Sequence, residues 1–207
     1  MGSMMVQVKP LPLRKQQKNY TRQRLIEVAR ELFVQKGIQE TGIDDIAKAA
    51  GTSRATVYTH FGGKTEIIRE LVAEIWETVQ STCEEYGAMT EWTQRTMRAW
   101  LSRVFERCEK YAESTRMVLR EAPSDVMNET EMRLRSNVEA MMGAGQMWTH
   151  LAPDEARLRA RLLLIQLFRS MWMFQAGNWD TNRDALLDTL ADVWLATVQA
   201  DKVQGKA

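Results

Sequence analysis

The chemistry this chain could do is concentrated where its cations are. Residues 1–64 hold eleven Lys/Arg against five Asp/Glu, and residues 65–207 hold seventeen against twenty-two. A formal net charge of +1 therefore conceals a basic end on an acidic body. Lys9, Arg14, Lys15, Lys18, Arg22 and Arg24 all precede the first acid, Glu27. Such an end either pairs with a polyanion or is a solvated arm. Covalent and acid–base chemistry has no comparable concentration. The two histidines, His60 and His150, belong to no Ser/His/Asp set, and there is no metal-ligand cluster or phosphate-cradling glycine loop. Cys83 and Cys108 sit inside helical patterns without ligand spacing, which fits a reduced, cytoplasmic compartment. The chain is expected not to be an enzyme and to use neither metal nor cofactor.

The elements that must position the basic groups are helices. Period-2 alternation is absent over any useful length, and apolar residues recur at the helical period throughout. The prolines are Pro10, Pro12, Pro123 and Pro153, so residues 13–122 are free of the strongest helix breaker. About nine helices are expected: Thr21–Lys36, Ile43–Ala49, Arg54–Phe61, Lys64–Tyr86, Glu91–Tyr111, Ser114–Glu121, Val126–Thr149 with a point of loosening at Gly143-Ala144-Gly145, Pro153–Ala176 and Thr181–Ala200. No apolar run reaches the ~18 residues a membrane span needs. Met1-Gly2-Ser3 before a second Met reads as a cloning scar. The expected organisation is a basic flexible arm over 1–18, a three-helix domain over 19–64, a helical domain over 65–200 and a tail over 201–207.

Residues 43–61 carry the most specific spacing. Two short helices crossing at a sharp angle need a small residue at the crossing, and Ala47 supplies it. Four positions later the turn needs tolerance of positive φ, which Gly51 has. Six positions further an apolar side chain must fill the angle, and Val57 does so. Ile46 and Ala50 complete a small core, and Ser53 stands where the second helix needs an N-cap.

With an amphipathic helix before it, Tyr58-Thr-His-Phe61 closing it and Gly-Gly-Lys64 opening the next helix, this segment resembles the DNA-binding domain of the tetracycline-repressor (TetR) family. The resemblance is close from about Thr21 to Leu71; beyond that only helix number and order agree. It implies an all-α fold, a helix-turn-helix followed by a helical domain for effector binding and dimerisation. It also implies a recognition helix at 54–61 in the major groove, with Arg54, Ala55, Thr56, Tyr58 and His60 facing DNA. The side chains suit those places. Arg54 can pair bidentately with guanine, Ala55 and the Thr56 methyl can meet a thymine methyl, and Tyr58 and His60 can reach phosphate. Lys64, at a helix start, is expected to clamp phosphate. Thr41, Gly42 and Ser53 complete the expected DNA-binding set. Gly42 stands where the family often has Ser or Thr, so the hydroxyl contact at that position is missing.

All seven tryptophans and ten of thirteen methionines lie beyond residue 70. Adaptable, soft side chains at helical spacing build either core or a promiscuous apolar pocket. The resemblance favours the pocket, with Trp76, Met97, Trp100, Met117, Met141, Trp148 and Trp172 as expected ligand-binding residues. The same resemblance makes the last two helices a homodimer interface. Leu162–Phe174 is apolar on nearly every side and is expected to be buried on nearly every side. The function so implied is a ligand-responsive repressor, whose dimer leaves a near-palindromic operator when a small apolar effector binds. The competing reading is an effector-free architectural or division-control protein of the same fold, which would have a dry, filled second domain.

Overall fold

A computed structural model describes residues 12–143 and 146–200. The expected scar, most of the arm, the Ala144-Gly145 pair and the tail lie outside those residues. The described residues form α1 (Leu13–Lys36), α2 (Ile43–Ala49), α3 (Arg54–His60), α4 (Lys64–Gly87), α5 (Gln94–Glu109), α6 (Ala112–Glu121), α7 (Ser124–Met142), α8 (Pro153–Gln175) and α9 (Arg183–Gln199), with a 3₁₀ turn at Gln146–Trp148. They contain no strand. No helix among them is long and apolar enough to cross a membrane. The chain divides into two compact units at Glu70–Leu71, inside α4.

In the first unit, α1 is longer than its apolar pattern indicates. It begins at Leu13, so residues 13–18, expected as flexible arm, are helical. The amides of Lys15 and Gln16 donate to the Pro12 carbonyl, and no glycine or proline interrupts the next 24 residues. Its early turns bury nothing, with Leu13 and Tyr20 exposed. The periodic half buries Leu25, Ile26, Val28, Ala29 and Phe33. Apolar periodicity marks the packed part of a helix, not its end.

The second unit is held by α5 against α9 and α7 against α8. Arg98 on α5 bridges Asp184 and Asp188 on α9, each at 2.6 Å. The core centres on Tyr86, whose ring lies 5.0 Å from Trp92, 5.0 Å from Trp100, 5.5 Å from Trp194 and 6.4 Å from Trp148. These tilted and edge-on pairs suit the aromatic quadrupole. Where α4 meets the end of α7, Gly87 is required sterically. A Cβ there would stand 2.3 Å from the Ala140 carbonyl oxygen. The close approach also explains why α7 is shorter than expected. It stops at Gly143, which has φ 37° and lies against the Gly87 backbone, so the helix does not reach Thr149.

Pro153 opens α8 at its first turn, followed by Asp154 and Glu155, in accord with a helix N-terminus. The helix is buried on one side only. Leu163, Leu164, Leu167 and Met171 are covered, whereas Leu158, Leu162 and Ile165 are 56%, 56% and 49% exposed. The expectation of burial all round fails for the single chain, because α7 and α9 cover only part of the α8 circumference.

Candidate nucleic-acid interface and apolar cavity

Local chemistry builds the helix-turn-helix. Gly51, at φ 69°, donates to the Lys48 carbonyl, and Thr52 donates to the Ala47 carbonyl. This paired pattern closes a helix C-terminus and reverses the chain. A Cβ at Gly51 would meet nothing within 4 Å, so the requirement is conformational, not steric. The Ser53 hydroxyl accepts from the Thr56 amide at 3.1 Å and so caps α3. Ile46, Ala47 and Val57 are buried in the angle between the helices. Arg22 then ties the far end of α3 to α1. It donates to the His60 carbonyl at 2.7 Å, pairs with Glu70 at 2.6 Å and lies 4.2 Å from the Phe61 ring centroid. Nothing in the spacing of Arg22 singles it out, and only the tertiary contact reveals its positioning role.

The expected DNA-facing residues separate into two groups. Ser53, Arg54, Ala55 and Tyr58 are exposed along the start and outer face of α3, with Thr56 half-buried. Tyr58 is 46% exposed. Arg54 donates to the Asp44 carboxylate at 3.0 Å and to the Tyr58 hydroxyl at 3.3 Å. Both members of the Arg54–Asp44 pair are largely solvated, so the pair contributes little and yields readily to a stronger acceptor. Asp44 escaped the sequence reading, because an acid on a surface facing DNA runs against the simple charge argument.

In the second group, Thr41 and Gly42 spend their polar groups on neighbours within the unit and His60 is half-buried. Thr41 is 0% exposed, and its hydroxyl donates to the Gly37 carbonyl at 2.8 Å. Gly42 is exposed, and its amide donates to the Asp45 carboxylate at 2.9 Å. That bond, with Lys36 nearby, holds the Asp45 carboxyl below its ordinary range. His60 is half-buried with Nδ1 enclosed and lacking a hydrogen-bond partner. Burial, reinforced by Lys18 and Arg22, pushes its imidazole below the ordinary value, which favours the neutral ring.

Lys64 differs most from expectation. Its ammonium donates to the carbonyls of Ile38, Thr41 and Gln39, at 2.6, 3.0 and 3.3 Å. It ties the start of α4 to the turn between α1 and α2. A cation held by three carbonyls is a structural tie first. Lys64→Ala is expected to lower the stability of the first unit by about 1–2 kcal/mol, because charge-assisted bonds are lost at a half-buried site. Thermal unfolding alongside Lys64→Met, which keeps most of the aliphatic stem, measures it. Unchanged melting with weakened DNA binding would return the residue to phosphate contact.

The second unit encloses a cavity of about 370 Å³. Val72, Ile75, Trp76 and Val79 of α4 form one wall, and Ile165, Phe168, Arg169, Met171, Trp172 and Gln175 of α8 another. Residues of α5 to α7, among them Cys108, Thr115, Val118, Thr130 and Leu134, complete it, together with Tyr111. Trp76 and Phe168 meet edge-on at 6.2 Å between centroids. Of the expected ligand-binding residues, Trp76 and Trp172 are on this wall. Met97, Trp100, Met141 and Trp148 are in the closed core around Tyr86, and Met117 is buried off the wall. The indole N–H groups of Trp100 and Trp148 are spent on the Thr82 and Met141 carbonyls. Those four residues pack a core and do not line the cavity. A bundle helix has neighbours on several sides, and spacing alone does not say which neighbour is solid. Burial of the Cys108 thiol against this wall pushes it up to about 11, so it behaves as a small apolar group. No cluster of metal-ligating side chains occurs among the described residues.

An exposed, capped second helix in a helix-turn-helix, followed in the chain by a separate helical unit, is the architecture of a DNA-binding transcription regulator. Residues 25–71 match the family model described as bacterial regulatory proteins, tetR family. The HTH-type transcriptional regulator AcrR of Shigella flexneri is 26% identical over 193 residues, covering 83% of this chain and 86% of that protein. Two solved structures share the fold. NalD, the secondary repressor of the MexAB-OprM multidrug efflux pump in Pseudomonas aeruginosa, superposes with a TM-score of 0.68 at 17% identity, over 88% of this chain and 97% of that one. A SmeT–triclosan complex superposes with a TM-score of 0.67 at 19% identity, over 84% and 91%. Residues 25–71 are thus similar to the DNA-binding domain of the TetR family, and the full-length relative is a DNA-binding transcription regulator and not an enzyme.

Proposed function

We propose that the protein is a ligand-responsive repressor. Its homodimer binds a near-palindromic operator through α3 and is released when a small, mainly apolar effector fills the second unit. The observation that carries this reading is the apolar cavity, with α4 as one of its walls. The same helix begins at Lys64, immediately after the helix-turn-helix, so a bias on α4 from the cavity reaches the element next to α3. The neighbouring SmeT structure holds triclosan, and NalD is a repressor, which supports the same pairing of functions. An effector-free architectural protein would gain nothing from such a space. The uncovered Leu158, Leu162 and Ile165 on α8, with Val193 exposed on α9, support a second copy of the chain docking there.

The test is reciprocity. A ligand can release DNA only by its differential affinity for two arrangements, so DNA must weaken the ligand by the same factor. Triclosan titrated calorimetrically into the protein, with and without a duplex the protein selects from a random pool, is expected to bind about 5–150-fold more weakly in the presence of DNA. Equal affinity would overturn the coupling.

A further inference from the structure

Among the described residues, Arg169 is the one fixed charge on the cavity wall. Its guanidinium stacks on the face of Trp172, 4.1 Å from its carbon to the ring centroid. Stacking on an indole leaves the edge of the guanidinium, where its N–H donors point, available for an acceptor. Arg169 is exposed in the free chain, so water now satisfies those donors. A ligand that fills the space beside it removes part of that water. A wholly apolar ligand would leave a cation with lost hydration and no counter-charge, which is unfavourable. A ligand bearing an anionic oxygen pair restores the hydrogen bonds in the bidentate geometry that suits guanidinium. The remainder of the wall, with Val72, Ile75, Trp76, Val79 and Phe168, suits an alkyl or aryl body, and Thr115 offers a further hydroxyl.

We propose that the cavity recognises amphipathic anions, an apolar body carrying a carboxylate-like head, and that Arg169 is the residue that selects the head. This rests on the reading of the cavity as an effector site. It refines the mainly apolar effector by adding one defined polar contact at the α8 side of the cavity.

The test uses isosteric probes that differ in charge. Octanoate and octanamide, and in parallel 2-naphthoate and 2-naphthamide, are titrated calorimetrically into the full chain near neutral pH. The native chain is expected to bind each carboxylate at least about tenfold more tightly than its amide. Arg169→Gln is expected to bring that ratio to about one while leaving amide affinity nearly unchanged, and Arg169→Lys to keep part of the preference. The unchanged amide affinity shows that the variant is folded and its cavity intact. Equal affinities in the native chain, or an undiminished preference in Arg169→Gln, overturn the head-group assignment alone. Failure of the native chain to bind either member of both pairs overturns the effector-site reading with it.

Discussion

Replacing Trp100 by alanine is expected to destabilise the second unit by about 3–5 kcal/mol, the range for removing a large aromatic from a closed core. Trp100 is 1% exposed. Its ring lies 5.0 Å from Tyr86 and 5.1 Å from Trp194, and its N–H donates to the Thr82 carbonyl at 3.0 Å. Truncation forfeits the packing, opens a void between α5 and α9 and loses the indole hydrogen bond. Trp100→Phe keeps most of the packing and loses the hydrogen bond, so it should cost clearly less, about 1–2 kcal/mol. Urea unfolding followed by circular dichroism, at one fixed protein concentration because the proposed dimer would link stability to concentration, separates the two variants. A loss below about 1 kcal/mol for the alanine variant would mean that the aromatic cluster is not the core of this unit. It would also reopen Trp100 as a ligand contact.

Operator affinity is expected to fall about a thousandfold or more between 50 and 200 mM salt, given six to ten phosphate contacts per dimer. The basis is the charge partition, eleven Lys/Arg against five Asp/Glu over residues 1–64, together with the exposed outer face of α3. Arg54→Ala should remove about 1–3 kcal/mol on the cognate duplex and relax base preference, while leaving the salt slope almost unchanged, because a base contact releases few counterions. The Asp44 partner does not alter the direction, since a solvated surface pair is exchanged at small cost. Fluorescence anisotropy of a labelled duplex over a salt series measures both quantities. A flat salt response would remove the phosphate-dominated mode of binding. An unchanged base preference in Arg54→Ala would move recognition to another residue of α3.

These two experiments probe the places where sequence and tertiary structure contribute differently. The helix-turn-helix was legible because its demands are local. Gly51 must accept positive φ, Ser53 must present an oxygen to an amide three residues on, and Ala47 and Val57 must fit one angle, all within a segment shorter than twenty residues. The order of the helices was legible too, since period and proline position depend on near neighbours. Helix ends were less so. The start of α1 at Leu13 and the stop of α7 at Gly143 lack the strong signals that mark the start of α8 at Pro153.

By itself the sequence determined the all-helical class, the helix-turn-helix and its family, and the basic character of one end, because each follows from backbone preference, short-range spacing or a sum of charges. Only the tertiary structure decided which side chains are free to act. Lys64 and His60 look like DNA contacts by position, yet the Lys64 ammonium is held by the carbonyls of Ile38, Gln39 and Thr41, and the His60 imidazole is half-buried near Lys18 and Arg22. Trp76 and Trp100 look alike by spacing, yet one faces a cavity and the other a neighbouring indole. The physical reason is the same in each case. Burial and hydrogen bonding are settled by residues tens of positions away, and a helical repeat specifies the direction of a side chain without specifying what stands there.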